Sequence, residues 1–250
     1  MKKTKTKKNS KNLIYIHGFS ASKDDHPELK KHVESCGYNF YNFDLPAHGS
    51  NKKSFKIEDV DLNFLVDFCV TKIKSFNLEE FIIMGHSMGG SITTIIAGEQ
   101  YFRKELKAII LEAPHNKRVV MRSLYSTKKA IQTIKEILTK QNKTPTLATY
   151  LKEMKSQKND YLPLLFNILN LPALNRIQAA LESISVPTLL FLGNKDIYIP
   201  LRDTRENYSN HLDDLEIHVI KGAGHCISID QPKEFYKYFD AYLERISKNE

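Results

Sequence analysis

Six short apolar runs, separated by amphipathic stretches along 250 residues, constrain this chain more than any other feature of its sequence. They are "NLIYIH" (12–17), "YNFYNFD" (38–44), "FIIMG" (81–85), "KAIILEAP" (107–114), "VPTLLFLG" (186–193) and "LEIHVIKG" (215–222). Each is too short for a stable helix, and several are apolar throughout, as strands buried on both faces are. Between them Leu62, Leu65, Cys69 and Ile73 fall on one helical stripe, and Ile92, Ile95 and Ile96 on another. The clearest stripe is the last, with Phe235, Tyr238, Phe239, Tyr242, Leu243 and Ile246 at helical spacing. The alternation predicts an α/β fold: a mostly parallel sheet of about six strands with helices on both faces.

One region breaks the pattern. From His115 to about Ser185 there is no strand candidate, and apolar residues return at helical spacing between Pro145, Pro163 and Pro172. Ile131, Ile134 and Leu138 form one stripe, Leu147, Tyr150, Leu151 and Met154 a second, Leu174, Ile177 and Leu181 a third. The expected organisation is a disordered basic tail over 1–11, a core over 12–114 and 186–250, and a helical cap inserted at 115–185. The length suits one domain carrying an insertion. The start "MKKTKTKKNSK" is basic like a secretory signal, but the "NLIYIHGF" that follows is too short for a signal core and lacks a small-residue cleavage site.

Composition narrows the classes. With 41% hydrophobic and 26% charged residues the chain reads as a soluble globular protein, and no apolar run approaches the roughly 20 residues of a membrane span. Cys36, Cys69 and Cys226 are widely spaced and never form a CxxC pair, which argues against a disulfide framework or a zinc cluster and for a cytoplasmic location. The net charge of +8 comes from lysines spread along the chain, without a nucleic-acid motif. A solvated surface is expected rather than a nucleic-acid partner, with peripheral attraction to an anionic membrane as the other role open to it. No HExxH, GxxxxGK[ST] or GxGxxG pattern is present, so neither a metal nor a nucleotide cofactor is expected.

The chemistry is concentrated where the third run ends, in "FIIMGHSMGG". Ser87 stands between Gly85 and Gly89, flanked by His86 and Met88, after a strand and before a helix. That placement fits a sharp elbow that lifts a nucleophilic hydroxyl clear of the sheet. The plainer alternative is a serine N-cap on an ordinary strand-to-helix turn. A nucleophilic serine needs a base and an acid to orient it. His225 in "GAGHC" follows the last strand candidate, and Asp196 in "LGNKDIYIP" follows the one before it. Glu112, ending "KAIILE", is a rival acid; Asp196 is preferred because a short carboxylate in a Gly-Asn-Lys-Asp turn suits an imidazole N–H. An oxyanion would need two donors, for which the backbone N–H groups of Met88 and of Phe19, in "HGFSAS", are the candidates.

Taken in order, "HGF", "FDLPAHGS", "GHSMGG", "GNKDIYIP" and "GAGH" resemble the α/β-hydrolase superfamily over most of the chain, and most of all its serine esterases and monoacylglycerol and lysophospholipid lipases. The resemblance implies cleavage of a small-molecule acyl ester, a lipid among the candidates, through an acyl-enzyme, with a helical cap before the acid-bearing strand. A serine at position 87 disfavours the dehalogenases and epoxide hydrolases of similar fold, which use aspartate there. A thioesterase or C–C bond hydrolase with the same triad stays open, as does a non-catalytic ligand-binding member. The chain has no tryptophan, so "GHSMGG" lacks the one that proline iminopeptidases commonly show after the nucleophile. Two departures stand out: no two leading strands, and Ala47 where relatives have glycine, a change that fits unless the position needs a positive φ. The stretch "YLPLLFNILNLPAL" (161–174) either lines an acyl pocket or packs the cap on the body.

Overall fold

The computed structural model describes residues 11–117 and 161–248. Six strands form one sheet: β1 (Asn12–Ile16), β2 (Asn39–Asn42), β3 (Phe81–His86), β4 (Leu106–Glu112), β5 (Thr188–Gly193) and β6 (Leu215–Ile220). Their order is β2-β1-β3-β4-β5-β6, and every neighbouring pair is parallel. All six apolar runs become strands, most of them trimmed at their ends, where turn formers such as Pro114 and Gly222 take over. β1, β3 and β5 are buried along their whole length, which explains why their sequences do not alternate.

The helices follow the apolar stripes. α1 (Pro27–Ser35), α2 (Leu62–Ser75) and α3 (Met88–Gly98) precede the insertion; α4 (Leu162–Ile168) and α5 (Leu171–Leu181) lie within it. α6 (Leu201–Ser209), the short α7 (Ile227–Asp230) and α8 (Pro232–Lys248) complete the set among the described residues. Asp61 caps α2, its carboxylate accepting from the Phe64 N–H at 2.8 Å, and the helix buries Leu62, Leu65, Cys69 and Ile73 as its spacing requires. α8 buries Phe235, Phe239, Tyr242, Leu243 and Ile246, with Phe235 against Phe191 of β5 at 4.5 Å between ring centroids.

Helical character in the insertion is seen over 162–181. Its third apolar stripe lies on α5, which buries Leu174, Ile177 and Leu181 and packs on α3. Arg176 fixes the contact with a two-pronged bond to Glu99, both distances 2.7 Å. In the 161–174 stretch Tyr161, Leu164, Ile168, Ala173 and Leu174 are buried in the core, while Phe166 and Leu171 are 72% and 52% exposed. The basic tail over 1–10, the stripes through Ile131, Ile134 and Leu138 and through Leu147, Tyr150, Leu151 and Met154, and Pro145 lie outside the described residues. No described helix is long and apolar enough to cross a membrane. None of the three cysteines is in a disulfide.

Register brings the strand ends to one rim. Ile16 pairs with Gly85, His86 with Glu112, and Glu112 with Phe191. The segments leaving β1, β3, β4 and β5 therefore emerge side by side at the carboxyl edge, where open α/β sheets bind ligands.

The turn after β2 answers the condition left open at Ala47. Ala47 is buried and its φ is +61°, so the position does need the left-handed backbone that glycine adopts without strain. Replacing Ala47 with Gly relieves that strain but loosens the unfolded chain, and should leave stability within about 1 kcal/mol of the parent. Ala47→Val places a β-branched side chain at positive φ and should cost roughly 2 kcal/mol or more. Urea unfolding of both variants tests the contrast; equal midpoints would contradict it.

Candidate active site

The elbow is built by close approach. Ser87 has φ +51° and ψ −114°, a conformation rare for a residue with a side chain. A Cβ at Gly85 would meet the Gly89 carbonyl and Thr93 Oγ1, and one at Gly89 would meet the backbone oxygens of Ile16 and His17. Only glycines let β3 turn into α3 against β1. The Ser87 N–H donates to the Glu112 carbonyl at 2.9 Å, tying the turn to β4. The Ser87 side chain does not cap α3, and it makes no hydrogen bond among the described residues. The N-cap alternative therefore has no support: the strained turn presents a hydroxyl that helix formation does not use.

Asp196 and His225 meet although 29 residues separate them: Asp196 Oδ2 accepts from His225 Nδ1–H at 2.8 Å. The carboxylate is almost wholly buried, and its Oδ1 accepts from the N–H groups of Tyr198 and Ile199 at 2.8 and 3.0 Å. Both loops are stitched together, Lys195 N–H to the Ala223 carbonyl at 2.8 Å and Gly222 N–H to Asn194 Oδ1 at 2.7 Å. With Nδ1 donating to Asp196, His225 keeps its Nε2 lone pair available as a base. Tyr198 packs edge-on against the ring at 5.1 Å.

His86 connects the two halves. Its Nε2–H donates to the His225 carbonyl at 3.1 Å, and the two rings lie 4.9 Å apart. The carbonyl can only accept, so His86 Nδ1 carries a bare lone pair, buried and without a hydrogen-bond partner among the described residues. Burial holds this imidazole well below its usual pKa, with the His225 charge adding to the effect.

Two further histidines order the loop at Phe19. His48 Nδ1–H donates to the Pro46 carbonyl at 2.8 Å, and its Nε2 accepts from the Ser20 N–H at 3.2 Å. His17 does the same between the Gly18 carbonyl at 2.9 Å and the Leu45 N–H at 3.0 Å. Each ring must be neutral to serve a donor and an acceptor at once. Burial agrees, lowering His17 and bringing His48 down to about 4. Asp44 braces the same corner through Lys23 N–H, Ser50 N–H and the Ser50 hydroxyl. The backbone N–H groups of Phe19 and Met88 have no hydrogen-bond partner among the described residues. Sequence reading missed His17, His48 and Asp44 as supports; their signal was present in "IHGF" and "FDLPAHGS", but partners 28 residues apart are not visible in spacing.

Glu112, the rival acid, is not hydrogen-bonded to the His225 imidazole, which is held by Asp196 instead. Its buried carboxylate accepts from the N–H of Ser228 at 2.8 Å and from that residue's hydroxyl at 3.3 Å. Cys226 lies next to His225 in sequence, and burial pushes its thiol up to about 12, so it is no nucleophile at neutral pH. Among the described residues, no group of three candidate metal ligands includes any of these side chains.

An all-parallel sheet wrapped by helices, with an elbow serine, a loop acid and a loop histidine following its strands in that order, is the architecture of an α/β-hydrolase. The chain belongs to the family Hydrolase_4, described as serine aminopeptidase, S33, whose family model matches residues 7–232. It is similar to a Mycoplasma pneumoniae protein named "Putative esterase/lipase 2", 24% identical over 95% of this chain and 91% of that one. Among solved structures it resembles the monoacylglycerol lipase of Paleococcus ferrophilus, with TM-score 0.67, 19% identity and 94% of each chain covered. It also resembles an esterase from Exiguobacterium antarcticum, with TM-score 0.68, 17% identity, and 94% of this chain and 92% of that one covered.

Burial raises Glu112 from its ordinary 4.5 to about 7, against the pull of its Ser228 bonds. A raised carboxyl contributes stability that is complete below the unfolded pKa and lost as pH climbs through the folded one. The shift corresponds to about 3 kcal/mol lost between roughly pH 4.5 and pH 7. Glu112→Gln cannot ionise, so its stability relative to the parent should rise by about that amount from acid to neutral pH. Urea titrations at the two pH values check this, and parallel profiles would contradict it.

Proposed function

We propose that the protein is a serine hydrolase of carboxylic esters, with Ser87 as nucleophile, His225 as general base and Asp196 as the acid that orients it. The observation that carries the reading is the 2.8 Å bond between Asp196 and His225 Nδ1, which leaves the Nε2 lone pair uncommitted on a loop bound to the residue beside Ser87. In this mechanism His225 Nε2 takes the Ser87 proton as the oxygen attacks the ester carbonyl. The charge that develops on the carbonyl oxygen is received by the Phe19 and Met88 N–H groups, at the start of a helix whose dipole favours it. His225 then returns the proton to the leaving alcohol, and water resolves the acyl-enzyme by the same route. Ser87 and His225 are not hydrogen-bonded to each other here, and in the proposed cycle their contact forms with substrate in place.

The reading extends to substrates of monoacyl-lipid size. Its support is the exposure of Phe166 and Leu171 in the described part of the insertion, together with the names of the similar proteins. The lysine excess, with a net charge of +8, favours contact with an anionic lipid surface. The reading places the enzyme in a reducing cytoplasm, supported by three widely spaced cysteines, none of which is in a disulfide.

Ser87→Ala should lower turnover of a p-nitrophenyl ester by roughly 10⁴- to 10⁶-fold. Turnover equal to the parent's would remove the serine from the mechanism. Across a chain-length series the parent should turn over medium-chain acyl esters best; a preference for acetyl esters with no activity beyond butyryl would contradict the lipid reading.

A further inference from the structure

A second cluster of chemically capable side chains lies where α1 meets α8. His32 and Cys36 are four residues apart on α1 and its C-cap, so they project from the same face, and Asp240 comes from α8. His32 Nε2 and Asp240 Oδ1 are 2.7 Å apart, Cys36 Sγ and the same oxygen 3.6 Å, and one ligand atom from each of the three residues lies within 4.8 Å of the others. None of the three belongs to the strand-end loops that hold Ser87, Asp196 and His225.

We propose that His32, Cys36 and Asp240 form a binding site for a divalent metal ion of the zinc class, with Nε2, Sγ and Oδ1 as ligands. Nitrogen, sulfur and carboxylate oxygen together are the donor set of zinc and its neighbours rather than of calcium or magnesium. Bond lengths of about 2.0 Å to nitrogen and oxygen and 2.3 Å to sulfur place tetrahedral ligands roughly 3.3 to 3.6 Å apart. The Cys36–Asp240 separation already meets that distance, and the His32–Asp240 pair opens by roughly 0.6 Å to admit the ion.

The imidazole is held for this task. It stacks on Tyr236 at 3.8 Å with an 18° interplanar angle and meets the edge of Phe239 at 6.2 Å. Such packing limits what the ring loses on coordination. An open groove lined by Cys36, Tyr38, Asp240 and Glu244 adjoins the cluster and gives solvent access to a fourth position. Without a metal, burial and the neighbouring carboxylate hold the Cys36 thiol protonated. A dication reverses that preference: on binding, the thiol proton passes to solvent and the thiolate becomes a ligand. The paired-cysteine patterns sought in the sequence could not have revealed the site, because the third ligand is 204 residues from Cys36.

Cobalt(II) titration of the purified full chain tests the proposal by a sulfur-to-cobalt charge-transfer band, with zinc affinity measured by competition. The parent should bind one ion per chain and show the band. Cys36→Ser should lose the band and weaken zinc binding roughly tenfold or more, whereas Cys226→Ser should keep both. His32→Phe preserves the stack on Tyr236 while removing the nitrogen, and should weaken zinc similarly, which separates loss of a ligand from loss of the fold. A parent without the band, a band that survives Cys36→Ser, or one lost only in Cys226→Ser would overturn the assignment and leave His32–Asp240 as a helix-to-helix hydrogen bond.

Discussion

Everything at the rim depends on the backbone of Ser87 being held at φ +51°. That conformation costs of order 1 to 3 kcal/mol and persists only where its surroundings leave no alternative. They do so by contact: Gly85 and Gly89 admit α3 to within van der Waals range of β1, and the Ser87 N–H is taken by the Glu112 carbonyl of β4. The strain is borne by three neighbouring strands packed as a unit. Its result is a hydroxyl that neither caps the helix nor joins the sheet.

A second constraint is electrostatic. His17, His48 and His86 are each buried and each donate to a backbone carbonyl, and all three have pKa values lowered by burial. Their neutrality fixes the tautomers, and the tautomers fix which loop each ring holds. His17 and His48 tie the Phe19 segment to the turn after β2, while His86 ties the Ser87 elbow to the His225 loop. Neutral rings also spare the site a cluster of positive charges around the His225 imidazole, which alone is paired with a buried carboxylate.

The strands were legible because burial on both faces leaves an unmistakable apolar run, and register did the rest by setting their ends level. The same logic exposed Ser87, since few other local demands call for glycines on both sides of a serine after a strand. Asp196 and His225 could be named from their positions after strands, but not their 2.8 Å contact. Whether Ala47 needs a left-handed φ stays open in the sequence, because that φ is a property of the turn and invisible in the residue itself. The stripe through Leu174, Ile177 and Leu181 is legible as a helix, but its packing on α3 is not, since periodicity says which face is buried and not against what. The histidine supports were missed for the complementary reason: each acts through a partner distant in sequence.

The proposed activation of Ser87 by a base poised on Asp196 can be read from treatment of the protein with a fluorophosphonate, with the adduct mapped by peptide mass spectrometry in the parent and in His225→Ala. A single adduct on Ser87 should form rapidly in the parent and be nearly abolished without the imidazole. An adduct on another residue, or labelling of Ser87 at the same rate in both proteins, would contradict it.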